Sequence, residues 1–176
     1  MDSADSSRTL TPGDGRGVLR HFAATLAYRA AKVLRDVPPV FAAASFGDTA
    51  RSPVRIVAHM ADLMAWAITL TRGDYVWKAE GGGDWDVEVG RFFDGLATLD
   101  RELADGPLLP GSIEKLIQGP LADAFTHVGQ LAMLRGMAGA PVRPEAYARA
   151  EVVAGRVGCE QAAPKREFDG DASAPR

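Results

Sequence analysis

Pro120-Leu-Ala-Asp-Ala-Phe-Thr-His-Val-Gly-Gln-Leu-Ala-Met-Leu-Arg-Gly-Met-Ala-Gly-Ala-Pro-Val142 reads as one helix. Pro120 suits a first helical position, where its missing N–H would be unpaired anyway. Gly139 and Pro141 close the far end. Asp123 and His127 lie four residues apart, so both project from one face, one turn apart. The chain has three histidines, and His59 sits on an earlier amphipathic helix. Two ligands from one helix and one from another is a standard way to build a metal site inside a helical bundle. His59, Asp123 and His127 are therefore candidate ligands of one divalent ion. The plainer readings stand beside this one. An Asp/His pair at this spacing can be a simple hydrogen bond, and Asp123 suits the positive end of the helix dipole.

Working outward, Leu19, Phe22, Leu26, Ala30 and Val33 recur at three- and four-residue steps and predict a first helix from Val18 to Pro38-Pro39. His21, beside Phe22, reads as a surface histidine. Ser52-Pro53 gives a hydroxyl at the N-cap and proline at the first position of a second helix. Its apolar stripe is Ile56, Met60, Leu63, Ala67 and Leu70, with His59, Asp62 and Trp66 on a neighbouring stripe. Residues 75–84, with Trp77 and Gly81-Gly82-Gly83, read as a flexible connection; they lack the strand, lysine and hydroxyl of a phosphate-binding loop. A third helix begins near Asp84-Trp85 and buries Val89, Phe92, Phe93, Leu96, Leu99 and Leu103. Gly106, Pro107, Pro110 and Gly111 mark a turn. A short helical turn capped by Ser112 precedes Pro120. Residues 145–153 suggest another short helix, and the charged, Pro/Ala-rich end from Ala162 is expected to fray. The pattern predicts an all-α protein: a lead-in over 1–17, a four-helix bundle over 18–142 and a C-terminal extension over 143–176.

The 176 residues suffice for one domain, and a hydrophobic share of 47% suits a globular chain. The net charge of −3 argues against general nucleic-acid binding. One cysteine, Cys159, excludes an internal disulfide and, without a basic neighbour in sequence, makes a weak nucleophile. The start lacks the basic and apolar regions of a secretion signal, and Val54–Leu70 is interrupted by Arg55, His59 and Asp62. A cytoplasmic protein without a membrane span is the expectation.

Two segments carry a family resemblance. Val57-Ala-His-Met-Ala-Asp-Leu-Met-Ala-Trp66 resembles a His-x-x-Asp-x-x-x-Trp type of helix. Thr126-His-Val-Gly-Gln-Leu-Ala-Met-Leu-Arg135 with Ala138-Gly-Ala-Pro-Val142 is similar to a fourth helix in which a His-x-x-x-His pair precedes a Gly-Gln step. In order and separation they resemble the DinB-like, or YfiT-like, metal-dependent superfamily of four-helix bundles, from the first helix to Val142. That resemblance implies a metal held by three histidines, one from the second helix and two from the fourth. His59 matches the first position and His127 the last; the middle position is Asp123. A carboxylate there lowers the Lewis acidity of the ion and leaves its identity open: zinc first, nickel or iron as alternatives.

The resemblance further implies a thiol-dependent S-transferase using a low-molecular-weight thiol of the bacillithiol or mycothiol type, or a related hydrolase. It also implies a homodimer acting on a small-molecule substrate. Among supporting residues, Asp62 is a candidate base or orienter of His59, with a capping or salt-bridge role on the helix surface as the alternative. Gln130, one turn from His127, is a candidate catalytic or positioning residue. Trp66 and Arg135 are candidate cofactor contacts, against a core tryptophan and a solvated arginine. The competing class is a non-catalytic bundle that binds a metal or small ligand, or dimerises.

Overall fold

A computed structural model describes residues 15–106 and 112–168. Among them there is no strand, and the one β-type contact is an isolated antiparallel bridge between Glu145 and Glu167. The helices are α1 (Gly15–Leu34), α2 (Pro53–Thr71), α3 (Trp85–Asp105), the short α4 (Ser112–Leu116) and α5 (Ala122–Met137). The all-α expectation holds. α1 and α2 each pack against both α3 and α5. The four long helices share one core that includes Leu19, Leu26, Met60, Met64, Phe92, Leu96, Leu99 and Leu131. Truncating any such leucine to alanine would cost about 2–5 kcal/mol. Ala23, Ala24, Ala27, Ala30 and Ala31 give α1 a buried, small-residue face, which lets its neighbours approach closely. α2 is long and apolar enough to cross a membrane, but 67% of its most apolar window is buried inside the fold, as in a core helix.

The helix ends follow local chemistry. α1 starts at Gly15, inside the expected lead-in; the rest of the lead-in, with Pro12-Gly13, lies outside the described residues. α1 stops at Leu34 because Asp36 adopts φ 52°, a left-handed conformation no helix continues through. Ser52 stands at the N-cap of α2 with extended backbone, but its side chain makes no capping bond; Pro53 carries the start. Asp84 does cap α3, its Oδ1 accepting the Val87 N–H at 3.0 Å. Arg16 of α1 reaches the other end of α3, donating to the carbonyls of Leu103 and Gly106. The turn expected of Pro107, Pro110 and Gly111, and the cap expected of Ser112's side chain, lie outside what the structure describes.

Four expectations are corrected. Pro120 does not open a free-standing helix. α4 runs through a wide π-type turn, Ile117–Leu121, into α5, with the break at Gly119 (φ −97°, ψ −106°). A Cβ on Gly119 would sit 3.2 Å from the Trp66 ring, so glycine lets the kink press onto α2. α5 also ends at Met137 rather than Val142, as Gly139 turns with φ 75°. Residues 145–153 hold only a 3₁₀ turn, Tyr147–Arg149. The C-terminal extension does not fray over 162–168. Ala146 N–H donates to the Arg166 carbonyl and Phe168 N–H to the Pro144 carbonyl. Lys32 of α1 pairs with Glu145 at 2.7 Å and Glu167 at 2.6 Å, and the Tyr28 hydroxyl donates to Glu145. Residues 169–176 lie outside the described residues.

Residues 75–84 are likewise a strap rather than a loose connection. The Glu80 N–H donates to Asp62 Oδ1 at 3.2 Å and the Gly82 N–H to Glu88 Oε1 at 2.6 Å. Gly81 runs so close to α2 that a Cβ would meet Ala58 Cβ at 2.4 Å. These contacts lay the strap across α2 one residue before His59.

Candidate metal centre

α2 presents His59, and the first two turns of α5 present Asp123 and His127. Their ligand atoms lie within 4.8 Å of one another, so the three can hold a metal ion. His59 Nε2 stands 3.3 Å from Asp123 Oδ2, and His127 Nε2 3.3 Å from Asp123 Oδ1. The two imidazoles meet edge to face, centroids 4.9 Å apart. A charge-assisted hydrogen bond draws its atoms to about 2.7–2.9 Å. At 3.3 Å both contacts are longer than that, and each runs to a different oxygen of the carboxylate, which stands between the two rings. The donor set, two imidazole nitrogens and a carboxylate, suits a divalent ion of the zinc, iron or nickel type.

The second nitrogen of His127 is also engaged. Its Nδ1 lies 2.8 Å from Gln130 Oε1, one turn along α5. An amide oxygen can only accept, so Nδ1 carries the proton, and in the neutral ring Nε2 keeps its lone pair toward Asp123. The ring is buried, at 8% exposure, and that orientation is fixed. Outer partners of this kind hold ligating histidines in the binding tautomer. Burial pushes the His59 pKa below its usual value. The Asp123 hydrogen bond opposes the shift, and the charges of His127 and Arg51 add to it. His59 is accordingly neutral, as a ligand must be.

The triad lines a pocket of about 530 Å³ together with Arg51, Ile56, Gln130, Met133 and Leu134, a size that suits a small molecule. Beside it, Trp77 of the strap sets its ring against His59, centroids 5.5 Å apart. Neither Trp77 nor Arg51 carried a signal in the sequence. Trp77 belongs to a segment without periodicity, and Arg51 precedes a helix start that says nothing about where its side chain lies.

Of the seven residues singled out from the sequence, four come together here: His59, Asp123, His127 and Gln130. Three do not. Asp62 is buried and faces away from the pocket. Its Oδ1 accepts from Arg91 at 2.7 Å and from Glu80 N–H, which fastens the strap; it makes a salt bridge, but a buried one rather than one on the helix surface. Trp66 is half-buried among Tyr75 and Trp77, centroids 5.3 and 5.8 Å away, and reaches the site only through Trp77. Its indole N–H is buried and has no hydrogen-bond partner among the described residues. Arg135 is buried rather than solvated. Its guanidinium donates to the carbonyls of Val33 in the last turn of α1, of Arg35 and Asp36 just past it, and of Ala140. Burial lowers its pKa, opposed by Asp36. It ties the end of α5 to the end of α1. Cys159 is exposed, outside the pocket lining.

No family model, curated protein or solved structure matches this chain.

Proposed function

We propose that this protein is a metal-dependent enzyme built on a four-helix bundle of the DinB-like type, with His59, Asp123 and His127 holding one divalent ion, zinc first. The observation that carries the reading is the buttressed triad at an open pocket: three donors converging, with Gln130 fixing the His127 tautomer. The packing of α1 and α2 against α3 and α5 and the resemblance of the α2 and α5 segments support the bundle assignment. When bound, such an ion with an open position supplies Lewis acidity and lowers the pKa of a thiol or water that reaches it.

The chain's own residues do the rest. Gln130 holds His127 in register. The Asp123 carboxylate, 45% exposed and facing both rings, leaves one side of the site open to the pocket. Ile56, Met133 and Leu134 supply apolar lining against which a small organic substrate excludes water. Within this reading the reaction is transfer of a low-molecular-weight thiol to an electrophile, with hydrolysis as the related chemistry of the same site.

The test has two stages. Protein purified without a chelating column should carry close to one equivalent of zinc, nickel or iron, lost in His59→Ala and His127→Ala while circular dichroism keeps its helical signal. Wild-type protein that is metal-free and gains no thermal stability from added Zn²⁺ would end the metal reading, because a ligand held only by the native state must stabilise it. Metal-loaded protein is then assayed with thiol co-substrates and alkyl or epoxide electrophiles. Turnover that ignores the thiol would leave hydrolysis.

A further inference from the structure

We propose that Arg51 is the substrate-recognition residue of this pocket, and that the substrate is a small organic oxyanion with an apolar body. Its carboxylate or phosphate would sit on the Arg51 guanidinium and its apolar portion along Ile56, Met133 and Leu134. The inference rests on the metal-centre reading above and adds to it the class of molecule the centre acts on.

Arg51 lines the same pocket as the triad. It is exposed, on the segment that leads into α2, and its guanidinium makes no hydrogen bond or ion pair with any described residue. Arg16, Arg20, Arg72, Arg91, Arg135 and Arg156 are each bonded to a carbonyl or carboxylate, and of the described arginines Arg51 is the one that lines this pocket. The one carboxylate lining the pocket, Asp123, is already shared between His59 and His127.

Charge decides the ligand class. A dication on two neutral imidazoles and one carboxylate retains a net positive charge. Arg51 places a second positive charge on the same pocket, and nothing in its lining neutralises it. A guanidinium offers a planar fork of N–H donors that fits the two oxygens of a carboxylate or phosphate. Beyond Arg51, the triad and Gln130, the rest of the lining is apolar: Ala50, Ile56, Met133 and Leu134. Met133 is 61% exposed despite its apolar side chain, an unbranched, adaptable surface for an alkyl body. A neutral substrate would leave the Arg51 fork without a bonding partner, and a cationic one would meet two positive charges.

Zinc-loaded protein would be titrated calorimetrically with hexanoate, hexyl phosphate and, as the uncharged control, hexanol. The same titrations would use Arg51→Gln and Arg51→Lys, with zinc content measured for every sample. The expected result is that at least one anion binds wild type, that hexanol binds at least about tenfold more weakly, and that Arg51→Gln loses about tenfold of the anion affinity. Arg51→Lys should recover part of the loss, and zinc content should stay unchanged. Whichever anion shows the Arg51 dependence identifies the headgroup. If zinc stays bound but Arg51→Gln binds both anions as wild type does, or neither anion binds wild type, the oxyanion assignment is overturned and the metal centre stands. If wild type retains no zinc, the metal reading fails first, and the zinc analysis registers it separately.

Discussion

Replacing Gln130 by leucine removes one acceptor and little else. Gln130 Oε1 takes the Nδ1 proton of His127 at 2.8 Å, and the His127 ring is 8% exposed. Water has little access to replace the lost oxygen, and a buried N–H left without a partner costs about 1–3 kcal/mol. The ring escapes that cost by moving its proton to Nε2 or by turning, and either response removes the lone pair from the metal side. The expected loss of zinc affinity is therefore about 10–100-fold, equivalent to about 1.4–2.7 kcal/mol. Competition against a chromophoric zinc chelator at neutral pH measures it. Gln130→Glu keeps an acceptor at the same place and should bind zinc at least as tightly as wild type. The reasoning is refuted if Gln130→Leu competes for zinc within about twofold of wild type, because Gln130 would then be a bystander and the tautomer argument would fall with it.

Arg135→Met should destabilise the protein by about 3–5 kcal/mol, since it strands carbonyls at the ends of two helices. The melting temperature should fall by about 6–20 °C with zinc stoichiometry of the folded protein unchanged; lost ligand binding at unchanged stability would restore a cofactor role to Arg135. Gly81→Ala puts a methyl 2.4 Å from Ala58 Cβ, so the strap must lift, at a cost of about 1–3 kcal/mol; Trp77 should then leave His59, seen as a red shift of tryptophan emission. The folded pKa of His59 lies below its unfolded value of 6.5, so the unfolded chain binds the proton more readily. The metal-free protein should keep its full stability above pH 6.5 and lose part of it as the pH falls below that, through the folded pKa. His59→Gln should flatten that part of the profile in urea unfolding, and an unchanged profile would remove His59 as its source.

The parts legible in the sequence are those written in short-range periodicity. The three- and four-residue steps of Ile56, Met60, Leu63 and Ala67 place α2, and the i,i+4 spacing of Asp123 and His127 puts both on one face of α5. Gln130 at i+3 from His127 follows the same rule. What escaped depends on backbone groups meeting side chains far away in sequence. The strap is ordered by Glu80 N–H on Asp62 and Gly82 N–H on Glu88, and a glycine triplet reads as freedom when those carboxylates are not in view. Arg135 looked like a helix-end charge because its targets, carbonyls at the end of α1, lie about a hundred positions upstream. The C-terminal extension has no repeat at all; the Lys32 pairs and the Glu145–Glu167 bridge hold it in place.

The indole of Trp77 lies 5.5 Å from His59, and Trp66 stands 5.8 Å behind it. This turns the pocket into its own optical probe. An open-shell ion such as nickel or iron on His59 would quench those two excited indoles at nearly contact range, while closed-shell zinc would leave them bright. The protein's native fluorescence can thus distinguish classes of metal as well as count occupancy, with no label attached and no substrate known.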